Sequence, residues 1–283
     1  MKTKQVITRF APSPTGLLHK GHAFSAFTAY NFARKHDGLF ILRIEDIDTT
    51  RCTTEFSDAI CEDLRWLGIT WEEPIRIQSG HFPFYKQELE KLKTMGLVYP
   101  CFCTRKDIRE EIERSPKAPH GPEGAPYPGT CRHLTADKRA AKVGSGMDHA
   151  WRLDVAKAIE YLTSLDRMPL VWHDIDDNNY IADPLSLGDI VLARKDTPTS
   201  YHLSVTLDDA QQGISHVIRG NDLLHTTDVQ VLLQALMGLP TPIYYHHKLL
   251  LDENGNRFAK RDKSVTLQSL RQNGIDPCSL LPK

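Results

Sequence analysis

The chain has 283 residues, of which 40% are hydrophobic and 25% are charged, and its formal net charge is −1. These values are typical of a globular protein with a core large enough to need no disulfides, and they give no general reason to expect a polyanionic partner. No apolar run approaches the roughly 18 residues of a membrane span, and no signal peptide precedes the first strand-like pattern. We therefore expect a cytoplasmic protein whose six cysteines are reduced thiols or metal ligands.

The first 70 residues predict a parallel β-α-β unit. Residues 5–10 resemble a strand, and residues 21–36 resemble a helix because apolar residues recur every three or four positions. The apolar run "LFILRIED" predicts a buried strand. A second helix follows, capped by Thr53 or Thr54 and ending at Gly68. This order predicts an α/β fold built on a parallel sheet.

The middle of the chain has a different composition. Residues 104–150 carry charge runs, many prolines and few large apolar residues, so we expect a loop-rich insert. Three strand-like stretches follow: "LGDIVLARKD", "SYHLSVTLDDA" and "ISHVIRG". The sequence then predicts a helix in "VQVLLQALMG" after Asp228, a strand in "IYYHHKLLL" and a short last helix capped by Thr266.

The first predicted turn, "RFAPSPTGLLHKGH" at residues 9–22, has the composition of a binding turn. Ligands of parallel sheets bind beyond the carboxyl ends of the strands. Gly16 and Gly21 allow the backbone to approach a ligand, and the following helix can direct its free N–H groups toward an anion. His19 and His22 can donate hydrogen bonds to phosphate oxygens. Alone, "HKGH" fits a turn with two surface histidines equally well.

Taken whole, this segment resembles the first signature of class I aminoacyl-tRNA synthetases of the glutamyl and glutaminyl group. Residues 19–22 then take the place of the family's HIGH tetrapeptide, although Lys20 replaces its usual apolar second residue. The basic loop "RFAKRDKSVTL" resembles the second signature, KMSKS. The alignment over residues 257–261 places Lys260 on the lysine that meets the ATP phosphates, and a rival frame covers residues 260–264.

The resemblance extends over nearly the whole chain and implies a Rossmann-like parallel-sheet catalytic domain with a zinc-containing insert. We expect residues 1–100 and 191–250 to form its two halves, residues 101–190 the insert, and residues 251–283 the KMSKS-type loop with a short helical segment. It further implies that ATP enters with Mg²⁺ as a substrate. The expected catalytic residues are His19, His22 and Lys260, and ATP contacts the same three residues and Gly21.

A glutamate substrate has two carboxylates and one ammonium group, so its site needs cations and an anion in fixed positions. Arg9 can form a two-pronged contact with a carboxylate, Ser13 can donate a hydrogen bond, and Glu45 can hold the ammonium. The segment "SYHLSVTLDDAQQGISHVIRGNDLL" resembles the family's second glutamate-binding segment. The resemblance assigns glutamate to Arg9, Ala11, Ser13, Glu45, Tyr201 and Arg219.

Three cysteines predict a zinc site. Cys101 and Cys103 form "CFC", and Cys131 follows in "YPGTC". Zn²⁺ prefers four tetrahedral ligands, and a metal can replace a missing apolar core in such an insert. The fourth ligand is either Tyr127, which resembles the pattern of the glutamyl-queuosine branch of the family, or His133, whose imidazole is the more usual ligand. We favour Tyr127.

The sequence ends about twenty residues after the second signature, so we expect the usual anticodon-binding domain to be lacking. This combination resembles the glutamyl-queuosine branch. Its members activate L-glutamate with ATP and transfer it to the queuosine base in the anticodon loop of tRNA(Asp). We expect a monomer with that tRNA as its partner and no membrane partner. The alternatives are a truncated glutamyl-tRNA synthetase that charges the tRNA 3′ end and a non-catalytic, zinc-containing RNA-binding module.

Overall fold

The structure, a computed structural model, describes residues 5–114, 126–250 and 265–280. In chain order the strands there are β1 (Ile7–Phe10), β2 (Leu39–Ile44), β3 (Glu72–Ile77), β4 (Val98–Cys101), β5 (Ala150–Leu153), β6 (Val171–His173), β7 (Asn179–Ile181), β8 (Val191–Ala193), β9 (His216–Gly220) and β10 (Ile243–His247). The α-helices are α1 (Lys20–Lys35), α2 (Thr54–Trp66), α3 (Phe82–Thr94), α4 (Arg105–Arg114), α5 (Ala136–Gly144), α6 (Val155–Ser164), α7 (Tyr201–Gln211), α8 (Thr226–Met237) and α9 (Leu267–Gln272).

A parallel sheet organises the first and last parts of the fold. β1 pairs with β2 and β2 with β3, all parallel, and β9 pairs parallel with β10. The backbone N–H of Ser215 donates to the carbonyl of Ile7 at 3.0 Å, which places β9 beside β1. The carboxyl ends of β1, β2 and β9 therefore meet at one edge, where ligands of such sheets bind. The predicted α/β class is confirmed.

The middle of the chain forms a second, antiparallel sheet. β5 lies between β4 and β8, and β6 and β7 form a separate hairpin. This sheet takes strands from both sides of the boundaries that we expected near residues 100 and 190, so the division into four segments stays a proposal. One hydrophobic cluster joins this sheet to the helices around it, with Leu92, Leu153 and Leu232 fully buried.

One predicted strand is a helix. We read "SYHLSVTLDDA" as a strand, but its residues form α7, and the side chain of Ser200 caps it by accepting a hydrogen bond from the N–H of Leu203. The alternation of apolar and polar residues misled the prediction because both kinds are enclosed: Thr206 and Asp208 are as buried as Leu203. The alternating letters therefore do not mark an exposed face.

The predicted caps are confirmed, but the insert contains more helix than the sequence indicated. Thr53 caps α2 and Thr266 caps α9. The segment read as loop-rich contains α4 and α5, and the apolar pattern could not predict α5 because none of its residues is buried. Its helical signal is the cap Thr135, whose hydroxyl accepts the N–H of Lys138. In the described part of the chain, no helix is long and apolar enough to cross a membrane.

Candidate active site

A cleft of about 540 Å³ opens at the carboxyl ends of β1, β2 and β9. The site residues that the sequence predicted outside the second signature and the cysteine cluster all line it. They are Arg9, Ala11, Ser13, His19, Gly21, His22, Glu45, Tyr201 and Arg219. Lys260 and both candidate KMSKS frames lie outside the described residues. The chain brings together residues that are up to about 200 positions apart, which local sequence patterns alone do not specify.

The two histidines of the first signature are part of the cap of α1. Nδ1 of His19 accepts the N–H of Gly21 at 3.1 Å, and Nδ1 of His22 accepts the N–H of His19 at 3.2 Å. The ring centroids lie 3.8 Å apart. Because each Nδ1 is an acceptor, the proton of each neutral ring is on Nε2, which is therefore a donor.

This cap changes the expected source of anion contacts. The N–H groups of His22 and Ala23 both donate to the carbonyl of His19, and that of Gly21 donates to the His19 ring. The sequence suggested that the N–H groups at the start of this helix point free into the cleft, but those of Gly21, His22 and Ala23 are engaged within the cap. Both histidine rings line the cleft beside this cap.

A buried ion network supports the predicted glutamate residues at the ends of β1 and β2. Arg9 is 5% exposed and donates to both carboxylate oxygens of Asp209, at 3.0 and 3.3 Å. Arg43, which is fully buried, contacts the same carboxylate at 2.9 Å and Oε1 of Glu45 at 3.2 Å. Two guanidinium groups thus share one aspartate, and the network fixes Arg9 and Glu45 on the cleft wall.

The charges of this network set its protonation. Burial raises the pKa of Asp209, but Arg9 and Arg43 outweigh burial and hold it below its usual range. For Glu45 the balance is opposite, because burial outweighs the attraction of Arg43 and raises its pKa. A cation in the cleft beside Glu45 would therefore favour its ionised form.

A second buried acid, Asp208, lies next to this network. Asp208 accepts the hydroxyl of Tyr85 at 2.8 Å and the side-chain amide of Gln78 at 2.8 Å. Nε of Arg76 lies 2.8 Å from its other oxygen. These partners belong to β3, the turn after it and α3, so Asp208 ties α7 to three neighbouring segments.

Arg219 lies on the opposite wall and has no acidic partner among the described residues. It is 4% exposed, and it donates to Oγ1 of Thr227 at 2.8 Å and to Oε1 of Gln230 at 2.9 Å. The hydroxyl of Tyr201 lies 3.4 Å from it and Nε2 of His246 lies 3.2 Å from it. A buried guanidinium held by neutral groups leaves a positive charge that a ligand carboxylate can compensate.

His246 is neutral in this arrangement. Burial and the adjacent Arg219 lower its pKa to about 3. Its Nε2 therefore accepts the guanidinium N–H of Arg219 and keeps the proton on Nδ1. The ring orients Arg219 without adding a second charge to the wall.

The chain reaches the cleft again on both sides of the second signature. Leu250 lines the cleft. Downstream, Thr266 forms a backbone bridge with His19, and the N–H of Leu267 donates to the carbonyl of Leu18 at 2.8 Å. The two ends of the undescribed segment that contains Lys260 thus lie beside the first signature.

The three predicted zinc ligands meet in the insert. The Sγ atoms of Cys101, Cys103 and Cys131 lie within 4.8 Å of one another. The hydroxyl oxygen of Tyr127 lies 3.5 Å from Sγ of Cys103 and accepts the N–H of Cys131 at 2.8 Å. His133 is exposed and does not belong to this group. Three thiols and a phenol oxygen supply four ligand atoms, the number that Zn²⁺ prefers, and the three thiols are of the soft type that it binds as thiolates.

Sequence reasoning missed the supporting residues Arg43, Asp208, Asp209, Thr227 and His246. The signal for Arg43 was present, because an arginine inside the apolar strand "LFILRI" needs a buried counter-charge. The paired aspartates of "TLDDA" supply it, but the strand reading of that segment hid the connection. Nothing local marked Thr227 or His246, which matter only because α8 and β10 pack beside Arg219.

Comparison with known proteins defines the class. Residues 5–282 match the family model of the catalytic domain of class I tRNA synthetases (E and Q). The chain therefore belongs to this family, and it is a ligase of the aminoacyl-tRNA synthetase type. A solved glutamate tRNA ligase from Elizabethkingia meningosepticum has the same fold, with a TM-score of 0.73 and 29% identity over 92% of this chain and 52% of that one.

Within the family, the chain is 45% identical over 280 residues to the glutamyl-Q tRNA(Asp) synthetase of Rhodobacter capsulatus, a match that covers 97% of this chain and 98% of that protein. It is 37% identical to the glutamate–tRNA ligase of Aquifex aeolicus, covering 98% of this chain and 56% of that protein. The chain thus spans about half the length of the glutamate–tRNA ligases it matches.

Proposed function

We propose that this chain activates L-glutamate with ATP as glutamyl adenylate and transfers the glutamyl group to the queuosine base in the anticodon loop of tRNA(Asp). One observation carries the activation step: a single cleft gathers two buried arginines, a buried glutamate and the histidine pair. The acceptor rests on the near full-length similarity to a glutamyl-Q tRNA(Asp) synthetase. A cytoplasmic location and a monomeric state belong to the same proposal.

The charges of the cleft match those of glutamate. Arg219 with Tyr201 would hold one carboxylate, since no described acid neutralises Arg219. Arg9 with Ser13 would hold the other, with Asp209 keeping the guanidinium in place. The ammonium would complete the coordination of Glu45, and Ala11 would line the floor. Glutamine lacks the second carboxylate, so one of the two arginines would lose its ligand carboxylate, and glutamine is expected to bind poorly.

ATP would lie against the first signature. Substitution at the α-phosphorus shifts negative charge to its oxygens and to the pyrophosphate that leaves. The Nε2–H groups of His19 and His22 would stabilise that charge, with the backbone at Gly21 close to the nucleotide. Lys260 would approach the phosphates from the segment whose two ends flank the cleft, and Mg²⁺ would arrive with ATP.

In the insert, Cys101, Cys103, Cys131 and Tyr127 would hold a structural Zn²⁺. This cluster shares no residue with the lining of the cleft. The role of the metal would be to fold the insert, which has few large apolar residues, and not to take part in activation.

A second candidate differs only in the acceptor. The 37% identity to a glutamate–tRNA ligase favours charging of the tRNA 3′ end. A non-catalytic RNA-binding module would have no need for a cleft whose charges match glutamate, which argues against that alternative.

Two assays on the purified chain test these proposals. Glutamate-dependent ATP–pyrophosphate exchange, run with and without tRNA, measures activation, and we expect exchange without tRNA. Transfer of labelled glutamate to tRNA(Asp) with and without queuosine measures acceptor choice. Absence of exchange under both conditions would refute activation, and equal transfer to both tRNAs would refute the queuosine acceptor.

A further inference from the structure

We propose that a row of two cavities beside the cleft binds the single-stranded RNA loop whose base enters the active site. The row, called here the basic track, is defined by Tyr127, His149, Trp151, Arg152 and Arg194. The identity of the RNA in this proposal rests on the proposed function. The position at which it binds rests on the geometry of the track.

The cavities adjoin the glutamate cleft. The first, of about 450 Å³, is lined by Tyr201, Arg152 and Arg194. Tyr201 also lines the cleft, so the two spaces share a wall. The second, of about 330 Å³, is lined by Arg194, His149 and Trp151. Because Arg194 borders both, the cleft and the two cavities lie in a row along which an RNA strand would pass.

The track carries uncompensated positive charge. Arg152 donates to the backbone carbonyl of Asp189 at 2.7 Å, and neither Arg152 nor Arg194 pairs with a carboxylate of the described residues. The acid in the first cavity is already engaged: the Asp189 carboxylate accepts from Tyr99 at 2.6 Å and from Arg132 at 3.2 Å. In a chain of net charge −1, this local excess is suited to phosphodiester groups.

In the second cavity, too, no carboxylate of the described residues neutralises Arg194. Its acid, Asp148, pairs with Lys195 at 2.6 Å, so these two charges offset one another. Arg194 is exposed between the two cavities, where it can contact a phosphate from either side.

Aromatic rings lie close to cations along the track. The guanidinium of Arg152 lies 4.0 Å from the ring centroid of Tyr127. Farther along, the rings of His149 and Trp151 meet edge to face at 5.0 Å, and Nζ of Lys93 lies 3.7 Å from the Trp151 ring centroid. Partly exposed rings between cations are the surface that unpaired bases stack on, whereas duplex RNA is held mainly through its backbone and shape.

Arg194→Ala is the decisive variant, because an exposed side chain can be removed without disturbing the core. Binding of a labelled anticodon stem-loop of tRNA(Asp) should weaken by about 10-fold, and the slope of log affinity against log salt should fall by roughly 0.7. The KM for tRNA in glutamate transfer should rise similarly, whereas tRNA-independent ATP–pyrophosphate exchange should stay at the wild-type rate. His149→Ala should weaken stem-loop binding without changing the salt slope.

Arg65→Ala is the matched control, since Arg65 is exposed on α2 and borders none of the three cavities. Unchanged stem-loop affinity in Arg194→Ala, or an equal loss in Arg65→Ala, would overturn the track. Failure of the proposed function has a different signature: exchange or transfer is then absent in the wild type, while stem-loop binding still reports on the track.

Discussion

The glutamate cleft and the cysteine cluster are stabilised by different means. The cleft lies at the edge of a parallel sheet, and buried ion pairs behind it fix Arg9 and Glu45. The cysteine cluster has only a small apolar environment, in which Tyr99, Cys101 and Cys131 are buried. A lost charge should therefore damage the cleft and the whole fold, whereas loss of a metal should damage only the insert.

The largest effect is expected from Asp209→Asn. This change leaves Arg9 and Arg43 buried without their shared counter-charge, so the free energy of unfolding should fall by about 3–5 kcal/mol. Urea denaturation measures the loss, and exchange measures the accompanying loss of activation. Asp48→Asn is the control: it breaks an exposed pair with Arg51 and should cost less than about 1 kcal/mol. Equal effects of the two changes would contradict the role given to the buried network.

Lys260→Ala tests the phosphate chemistry proposed for the cleft. Activation should slow by roughly 100-fold, the scale of one lost electrostatic contact in the transition state. The affinity for glutamate should hardly change, because the proposed contacts of Lys260 are with the ATP phosphates. Pre-steady-state exchange with a glutamate titration separates the two quantities. A slow Lys263→Ala variant beside a normal Lys260→Ala variant would show that the rival frame is right.

Removal of zinc tests the expectation that loss of the metal damages only the insert. Metal analysis should find about one zinc per chain, and Cys103→Ala should lose it while Cys61→Ala, on α2, keeps it. Hydrogen exchange should then accelerate in β4 and β5, but glutamate-dependent exchange should stay within about threefold, since the two sites share no lining residue. Full zinc content in Cys103→Ala would refute the site.

A finer test concerns the fourth ligand. Tyr127→Phe removes the hydroxyl that lies 3.5 Å from Sγ of Cys103 and should weaken zinc binding by at least roughly 10-fold. His133→Ala should leave the affinity unchanged, because His133 lies outside the cluster. Competition with a metal-sensitive dye measures both, and the opposite ranking would exchange the two ligands.

The last effect is a pH dependence that arises at His246, beside Arg219. The pKa of His246 is about 3 in the fold and about 6.5 in the unfolded chain, so the unfolded state binds more protons between these values. Stability should consequently fall as the pH drops below about 6.5. In His246→Gln this part of the fall should vanish. The slope of unfolding free energy against pH should then decrease by the equivalent of up to about one bound proton. Urea titrations at pH 7 and pH 5 measure the unfolding free energy of both proteins. An equal change between the two pH values in the wild type and in His246→Gln would contradict the buried, neutral ring.

Much of the site could be predicted because its motifs are local. The turn after β1 and the end of β2 carry Arg9, Ser13, His19, His22 and Glu45, which the ends of the predicted strands and the resemblance to the first signature had marked. The parallel sheet then guarantees that these ends meet at one edge. The cysteines were predictable for the same reason, since ligand spacing is a property of the sequence.

The supports were not predictable because they depend on packing. Asp208 and Asp209 lie on a helix that is enclosed on all sides, so its polar residues carry no surface signal and imitate a strand. The pairing of Arg43 with Asp209 joins residues far apart in the chain through tertiary contact alone. Likewise, α5 escaped detection because a helix without a buried face has no hydrophobic period.

The acceptor is the central claim, and one transfer experiment tests it most directly. Labelled glutamate and ATP are supplied with tRNA(Asp) that carries queuosine but lacks its 3′-terminal adenosine, and the label is located by nuclease digestion. If the anticodon loop enters the cleft, the label will appear on the queuosine nucleotide, and the same tRNA without queuosine will stay unlabelled. Label on the 3′ end of intact, unmodified tRNA(Glu), with none on the truncated tRNA(Asp), would contradict the account and identify the chain as an ordinary charging enzyme.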